Sequence, residues 1–527
     1  MLPLFFAATL AAAAPTPATV TVHADQPGLV LPVDFVGLST EKKLMVRDCF
    51  HVKNTTLINL CRTLGPGVLR IGANNVDSTF FQRDGKPPRE SMKDNRYVVD
   101  PRTIGTESVD EFFAFARATG WKVIYGVNLG ANNPAMAADE ADYALQVGAK
   151  EILAIEIGNE PNLYPKGPKR EGIRPGNWGY PQYKAEFTAT ADAIVAKRPQ
   201  APLTGPAVTK STMWMPLFMA DFRSRIVLAT SHVYPLSAPE TDPKAPRFTS
   251  IEKLLGEKYP DDWAIKLADA QAAGVPYRVA ECNTASGGGK RGVSNAFASA
   301  LWSIDFLFDV ATRGGQGVNL HGSFTANNYS PIVYDKKTET YGAAPLYYGL
   351  LFFSQAAQGR LVASETQCAA HFVAHAVRGS DGKLRVTLLN KDLKQPVAVQ
   401  LDLGAAFKTG QVLRLSAPSV DATEGDNTDA NRASGTQMRY GTGQSYSIRG
   451  FNTNAGNQSI SHDFFNALEP TDNYNLERIT LSLGPNALLI GVGNPQGTAV
   501  TTTKRAELKR RKTEVQTQAD TNGSRRI

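Results

Sequence analysis

Short apolar runs alternate with longer amphipathic segments between residues 33 and 322. Most of these runs are continuously apolar, which is typical of parallel strands that are buried on both faces. The segments between them, such as 107–119, 183–197 and 294–312, have the spacing of amphipathic helices. Eight strands that alternate with helices predict an α/β protein built as a (β/α)₈ TIM barrel. The predicted strands are 33–39, 67–72, 122–129, 152–159, 202–208, 225–234, 276–282 and 317–322.

The pattern changes after about residue 345. Segments 371–377, 384–390, 397–403 and 477–483 are rich in β-forming residues, and turns rich in Gly, Asn and Asp separate them. This pattern predicts a C-terminal antiparallel β-sandwich. The early segment 19–24 is expected to add a strand to it. We therefore predict a barrel over 33–344 and a sandwich domain over 19–32 and 345–498.

Both ends of the chain have distinctive compositions. Residues 1–14 form an apolar run that ends in small residues, although no Lys or Arg precedes it, and we predict a signal peptide over 1–18 and a secreted or periplasmic protein. The net charge of +7 is concentrated in TKRAELKRRK, and we interpret 499–527 as a solvated, disordered basic tail rather than a nucleic-acid site. No internal run is long enough to cross a bilayer.

The four cysteines contain no CxxC pair, and the seven histidines lack metal-ligand spacing. We therefore expect neither a metal nor another cofactor. The sequence leaves open whether Cys49 and Cys61 form a disulfide bond, because that depends on their geometry. Cys282 is interpreted as a packing residue of the barrel wall.

Two carboxylates lie where barrel enzymes carry their chemistry, at the C-terminal ends of strands. Glu160 follows the fourth predicted strand and Glu281 ends the seventh, so the two are expected to face each other across the barrel mouth. Carboxylates about 5–5.5 Å apart suit double displacement at a glycosidic bond. Asn159 is expected to present its amide to the sugar 2-hydroxyl, and Tyr234 to donate a hydrogen bond to Glu281.

Several segments resemble glycoside hydrolase family 79, a clan A family that contains β-glucuronidases and heparanases. They are GLSTEKKLM, LRIGANNVD, VIYGVNL, AIEIGNEPN, NYSPI and the long segment 293–322, and together they extend over the whole barrel. The resemblance implies that Glu160 is the general acid/base and Glu281 the nucleophile of a retaining enzyme. It also implies that Asn159, Tyr234, His321 and Tyr329 line the sugar subsite. The expected partner is a glycan or glycoside containing glucuronic acid, bound by a monomer that needs no membrane or nucleic acid.

One departure from the family pattern concerns the sugar carboxylate. Relatives that cleave simple β-glucuronides have a tyrosine five residues after the nucleophile, whereas this chain has Ser286 followed by Gly287 and two further glycines. A hydroxyl and free backbone N–H groups can still bind a carboxylate, and Lys290 and Arg291 are an alternative source of charge. The departure leaves two other hypotheses open, namely a clan A β-glycosidase acting on a neutral sugar and a non-catalytic polysaccharide-binding protein. His232 is interpreted as a polar group near the mouth without a direct catalytic role.

Overall fold

The protein is described here by a computed structural model. It describes residues 14–46, 48–85, 102–165, 173–256, 262–325, 327–335, 339–404, 407, 409–417 and 419–423, together with the backbone of the strands at 439–447, 450–451, 476–483, 497–503, 518–519 and 525–526.

Eight parallel strands close into a barrel, as predicted. Each strand pairs with the next one along the chain, and the eighth pairs with the first through the register Val318 to Val36. The strand interiors are almost entirely buried, which explains the continuous apolar runs in the sequence. In order, barrel strands one to eight are Val36–Glu41, Val68–Gly72, Lys122–Val127, Ile152–Ile157, Leu203–Thr209, Ile226–Val233, Tyr277–Cys282 and Val318–His321.

Helices surround the barrel and bury their apolar faces against it. Local sequence sets their ends: the Asn133 side chain accepts a hydrogen bond from the Met136 N–H at a helix start, and Gly120 ends another helix with a φ of 77°. The α-helices are Thr55–Thr63, Thr106–Thr119, Pro134–Gly148, Tyr180–Lys197, Trp214–Phe222, Ile251–Leu254, Asp262–Ala272, Phe297–Thr312 and Pro345–Ala356, and the 3₁₀ helices are Lys42–Val46, Asp48–Phe50, Asn74–Ser78 and Pro161–Leu163.

The helix Pro345–Ala356 corrects the domain division drawn from the sequence, which assigned these residues to the sandwich. The helix follows the eighth barrel strand, begins with a proline and packs on Phe297–Thr312. Its apolar run LYYGLLFF has no clear periodicity, so the sequence does not distinguish a buried helix from a strand here.

A separate five-stranded sheet contains the first strand of the chain. Thr16–Val30 begins inside the range predicted as signal peptide, pairs antiparallel with Arg360–Cys368, and pairs parallel with Val397–Asp402. The sheet is therefore antiparallel apart from that one parallel edge. Its order is Leu384–Asn390, Phe372–Arg378, Arg360–Cys368, Thr16–Val30 and Val397–Asp402.

The remaining strands form small sheets. The pairs Leu236–Ser237 with Ala285–Ser286, Ile332–Asp335 with Thr340–Ala343, and Thr79–Phe81 with Arg102–Ile104 accompany the barrel. Three short sheets lie further along the chain: Thr409–Ser416 with Arg439–Ser447 and Gly450–Phe451, Leu476–Leu483 with Gly497–Thr503, and Gln518–Ala519 with Arg525–Arg526. The strand Gly497–Thr503 thus extends into the range predicted as a disordered tail, because its β-forming Thr and Val residues pair with Leu476–Leu483. Most of the tail, and the apolar run at 1–13, lie outside the described residues.

Two further expectations concern cysteines and membranes. Cys49 and Cys61 are both buried and are not bridged to each other, and burial raises the pKa of the Cys61 thiol. Cys282 is fully buried in the barrel wall, as predicted. Among the described residues, no helix combines the length and hydropathy required of a membrane span.

Candidate active site

The two predicted carboxylates meet at the mouth of the barrel. Glu160 follows barrel strand four, and Glu281 lies near the end of barrel strand seven. One oxygen of each carboxylate and one ring nitrogen of His232 lie within 4.8 Å of one another. This spacing is in the range of retaining glycosidases, where the two carboxyl groups are about 5–5.5 Å apart.

Glu281 is buried and held through both of its oxygens. Tyr234 donates a hydrogen bond of 2.7 Å to Oε1, which confirms the contact predicted from the sequence, and Arg70 donates one of 2.6 Å to Oε2. Burial alone would raise the pKa of Glu281, but the neighbouring His321, His232 and Arg70 and the Tyr234 hydroxyl outweigh it and hold this pKa well below its usual range. Because Arg70 is charged at every working pH, Glu281 is an anion whenever the protein is folded near neutrality.

Arg70 is the electrostatic centre of the site. Its guanidinium is fully buried at the end of barrel strand two and also bonds Glu156 at 2.6 Å and the Asn159 amide oxygen at 2.9 Å. Glu156 in turn accepts a hydrogen bond of 3.0 Å from Thr230. Burial opposes the charge on Arg70, but the two carboxylates outweigh it and raise its pKa. One fixed cation thus compensates two buried anions.

Glu160 has a different environment. Its Oε1 lies 3.0 Å from Nδ1 of His232, its side chain is 15% exposed, and no Lys or Arg in the described part of the chain bonds it. His232 is fully buried and its Nδ1 is also 3.9 Å from Glu281 Oε2, so it lies between the two carboxylates. The two carboxylates are therefore inequivalent: Glu281 is anchored and ionised, whereas Glu160 is accessible and bonded to an imidazole.

His321 lies beside Glu281, and Glu41 lies beside His321. Nδ1 of His321 lies 3.2 Å from Ser39 Oγ and 3.8 Å from Glu281, and Nε2 lies 3.8 Å from Glu41 Oε1. Burial lowers the pKa of His321 below its usual value, and the charge of Glu281 opposes this effect. Burial and the charge of Glu281 raise the pKa of Glu41 to about 7, against the hydrogen bond it accepts from the Asn75 N–H.

The loop after Glu281 presents backbone donors. Gly287, Gly288 and Gly289 have φ values of 82°, 87° and 75°, a conformation that glycine adopts without strain. Within the described residues their N–H groups donate no hydrogen bond, whereas the Gly288 and Gly289 carbonyls accept from Asn328. These donors are therefore available to a ligand.

Ser286 and Tyr329 flank this loop. Ser286 lies in a two-residue strand beside Ser237, and its carbonyl accepts from the Ala238 N–H. Tyr329 is buried, with its ring centroid 6.4 Å from that of Tyr234 and 6.1 Å from that of His321. The structure thus brings Tyr329 together with the residues around Glu281.

Lys290 does not supply charge to the loop, contrary to the alternative drawn from the sequence. Its Nζ donates to the Thr249 carbonyl at 3.0 Å and lies 4.3 Å from the centroid of the Phe248 ring. The short Gly-rich loop turns the lysine towards this neighbouring segment, where the carbonyl and the aromatic face satisfy its charge.

The sequence identified the carboxylate pair but not its supporting residues. Arg70, Glu41 and Glu156 were not singled out, and His232 was given no role next to Glu160. A signal was present, because a charged residue within a continuously apolar strand is rarely buried without a partner.

A cation would compete with charges already present. Glu160, His232 and Glu281 have donor atoms close enough to approach one ion. However, Glu281 already bonds Arg70, whose positive charge would repel a second cation. The arrangement suits acid–base and nucleophilic chemistry by the side chains themselves.

Comparison with known proteins identifies distant relatives. No family model matches the sequence. The chain is similar to heparanase-like protein 3 of Arabidopsis thaliana, with 26% identity over 390 residues that make up 68% of each chain. It is also similar to a β-glucuronidase of Aspergillus niger, with 24% identity over 318 residues, which are 53% of this chain and 55% of the relative. The chain thus spans about half the length of the fungal relative.

Solved structures share the fold. A 4-O-α-L-rhamnosyl-β-D-glucuronidase from Fusarium oxysporum has 19% identity and a TM-score of 0.63, and the match covers 82% of this chain and 96% of that one. A family 51 α-L-arabinofuranosidase from Bifidobacterium longum has 16% identity and a TM-score of 0.59, with coverage of 81% and 95%. These likenesses show that a barrel with an accompanying sheet is common to this chain and to these enzymes.

Proposed function

We propose that this chain, which is similar in sequence to a heparanase-like protein and to a β-glucuronidase and shares its fold with a glucuronidase of known structure, is a retaining β-glucuronidase of the family 79 type. Glu281 is the nucleophile and Glu160 the general acid/base. The observation that carries the proposal is the pair of carboxylates within 4.8 Å of each other, in unequal surroundings.

In the first step Glu281 attacks the anomeric carbon of the sugar. The C–O bond to the leaving group breaks, and Glu160 donates its proton to the departing oxygen. The low pKa of Glu281 supports the role of nucleophile, because an ionised carboxylate is available without a prior proton transfer. Arg70 and Tyr234 hold both oxygens and fix the plane of the attacking group.

In the second step water hydrolyses the glycosyl–Glu281 ester. Glu160, now ionised, removes a proton from water, the resulting hydroxide attacks the anomeric carbon, and Glu281 leaves as the carboxylate. The charge of Arg70 stabilises that leaving carboxylate. The amide oxygen of Asn159 accepts a hydrogen bond from Arg70, so its amide nitrogen can donate to the sugar 2-hydroxyl. The sugar would replace a long contact of 3.4 Å from this nitrogen to Asn74 Oδ1.

The substrate sugar is glucuronic acid. The fungal relative is a β-glucuronidase by name, and the glycine loop offers the donors that a sugar carboxylate needs. A carboxylate is costly to desolvate unless such donors replace its water shell. Ser286, the N–H groups of Gly287 to Gly289 and the Tyr329 hydroxyl jointly bind the C5 substituent.

The test compares kcat/KM for matched aryl β-glucuronide and β-glucoside. The native enzyme prefers the glucuronide, and Tyr329→Phe narrows that preference by roughly 10-fold, the effect of one lost hydrogen bond to a charged group. Tyr143→Phe is the control, because its hydroxyl bonds Asp110 on the helical surface. A native preference for the glucoside would favour the neutral-sugar alternative, and absence of any turnover would favour a binding protein.

We further propose that the protein is a secreted or periplasmic monomer. The apolar run at residues 1–14 supports export. The expected results are a mature N-terminus between residues 14 and 20 in protein from the culture medium or periplasm, and a monomeric mass by light scattering.

A further inference from the structure

Glu160 lies in a strained turn. It has φ 46° and ψ 50°, and Gly158, two residues earlier, has φ 78°. A left-handed conformation costs a non-glycine residue roughly 1–2 kcal/mol and persists only where the surroundings impose it. The turn is fixed at its ends, since the Gly158 N–H donates to the Val127 carbonyl and the Glu160 N–H to the Ala207 carbonyl, each at 3.0 Å.

Tyr164 supports the middle of this turn. Its buried hydroxyl accepts a long hydrogen bond of 3.4 Å from the Asn159 N–H. The same hydroxyl lies only 2.8 Å from the position that a Cβ atom on Gly158 would occupy. The phenol therefore packs directly beneath the peptide units that carry Asn159 and Glu160.

Asp77 holds that phenol in position. Tyr164 donates to Asp77 Oδ2 at 2.7 Å, and Asp77 Oδ1 accepts from the N–H groups of Gly130 and Leu129 at 2.9 and 3.3 Å. Asp77 follows barrel strand two, Gly130 follows strand three and Tyr164 follows strand four. One carboxylate thus connects three successive loops of the barrel mouth.

We propose that Asp77 and Tyr164 are positioning residues that hold the turn of Glu160 so that its carboxyl group reaches the leaving-group oxygen. This inference rests on the proposed role of Glu160. Neither residue touches the reacting atoms; both act through the turn. The consequence is specific, because only substrates with poor leaving groups need protonation by Glu160.

Tyr164→Phe keeps the ring and removes the hydroxyl. We expect kcat for an alkyl β-glucuronide to fall by roughly 10- to 100-fold, the effect of a misplaced catalytic group. For an activated nitrophenyl β-glucuronide, the glycosylation step should change by less than about 3-fold, since no proton is needed there. KM should stay unchanged for the alkyl substrate, whose glycosylation step limits turnover, whereas kcat/KM is compared for the nitrophenyl substrate because it reports the glycosylation step alone. Asp77→Asn is the second variant and should give the same pattern.

Tyr180→Phe is the matched control, because Tyr180 belongs to the neighbouring aromatic cluster and its hydroxyl bonds Asp221 instead. Tyr180→Phe should change the rate of hydrolysis of neither substrate. An equal loss on both substrates, or no loss in either Tyr164→Phe or Asp77→Asn, would contradict a positioning role. Glu160→Gln is measured in parallel: if it shows no dependence on the leaving group, the acid/base assignment fails and this inference fails with it.

Discussion

Arg70→Met removes the cation that compensates two buried carboxylates. Arg70 bonds Glu156 and Glu281, each at 2.6 Å, and none of the three side chains is more than 4% exposed. Removing one partner of a buried ion pair costs about 3–5 kcal/mol, because it leaves an uncompensated charge in a poorly polarisable interior. We expect the variant to lose at least this much stability at pH 8 and to lack activity.

The loss should depend on pH, and the sign follows from linkage. In the native protein the pKa of Glu281 lies below that of an unfolded chain, about 4.3, so its ionisation stabilises the fold above that pH and the gain is lost on acidification. Without Arg70, one of the charges that oppose the effect of burial is removed, and we expect this pKa to rise above that of the unfolded chain. A raised folded pKa contributes stability at low pH that disappears as the pH rises through it. The deficit of the variant should therefore already be present at pH 5, where the native gain is complete, and should grow further towards pH 8.

Urea unfolding at both pH values measures this difference through the midpoints. Arg83→Met is the control, because Arg83 is 49% exposed and its pair with Asp139 is worth about 1 kcal/mol or less. Adding Glu156→Gln to Arg70→Met should recover part of the loss by removing one of the two stranded charges. The reasoning is refuted if Arg70→Met is as stable as Arg83→Met, or if its deficit is the same at pH 5 and pH 8.

Two other predictions concern titration. Tyr234→Phe removes a hydrogen bond to the charged form of Glu281, so its pKa should rise and the acidic limb of kcat/KM should move to higher pH by about one unit; an unmoved limb would contradict the assigned role of that hydroxyl. Lys391→Met breaks the 2.6 Å ion pair that joins the helix residue Asp305 to the separate sheet. Burial alone would raise the pKa of Asp305, but His375, whose Nε2 lies 3.5 Å from Oδ1, and the charge of Lys391 outweigh burial and lower this pKa to about 2. We expect a loss of about 2 kcal/mol at pH 7 that shrinks below pH 4, as urea midpoints would show.

The barrel could be predicted because its signal is repeated eight times. Each buried parallel strand gives a continuous apolar run, and a barrel puts every strand end at the same mouth. That rule alone brings Glu160 and Glu281 together. The helix Pro345–Ala356 was missed for the same reason that the strands were found, because a fully apolar segment has no period that distinguishes helix from strand.

The supporting network depends on tertiary contacts that no local pattern encodes. Arg70 and Glu281 are 211 residues apart in sequence and 2.6 Å apart in space. Residue type and strand position predict that Arg70 and Glu281 both face the mouth of the barrel. They do not predict which carboxylates accept the hydrogen bonds of the Arg70 guanidinium. Likewise, the left-handed backbone of Glu160 is imposed by its neighbours, since nothing in the NEP tripeptide requires it.

The identity of the nucleophile is the central claim, and trapping the glycosyl–enzyme intermediate tests it most directly. A 2-deoxy-2-fluoro-β-glucuronyl fluoride slows both steps but forms the intermediate faster than it breaks down. We predict that digestion and mass spectrometry will find one sugar attached to the peptide that contains Glu281. Attachment to Glu41 or Glu160 instead, or inversion of configuration in the product with no trapped ester, would contradict the account.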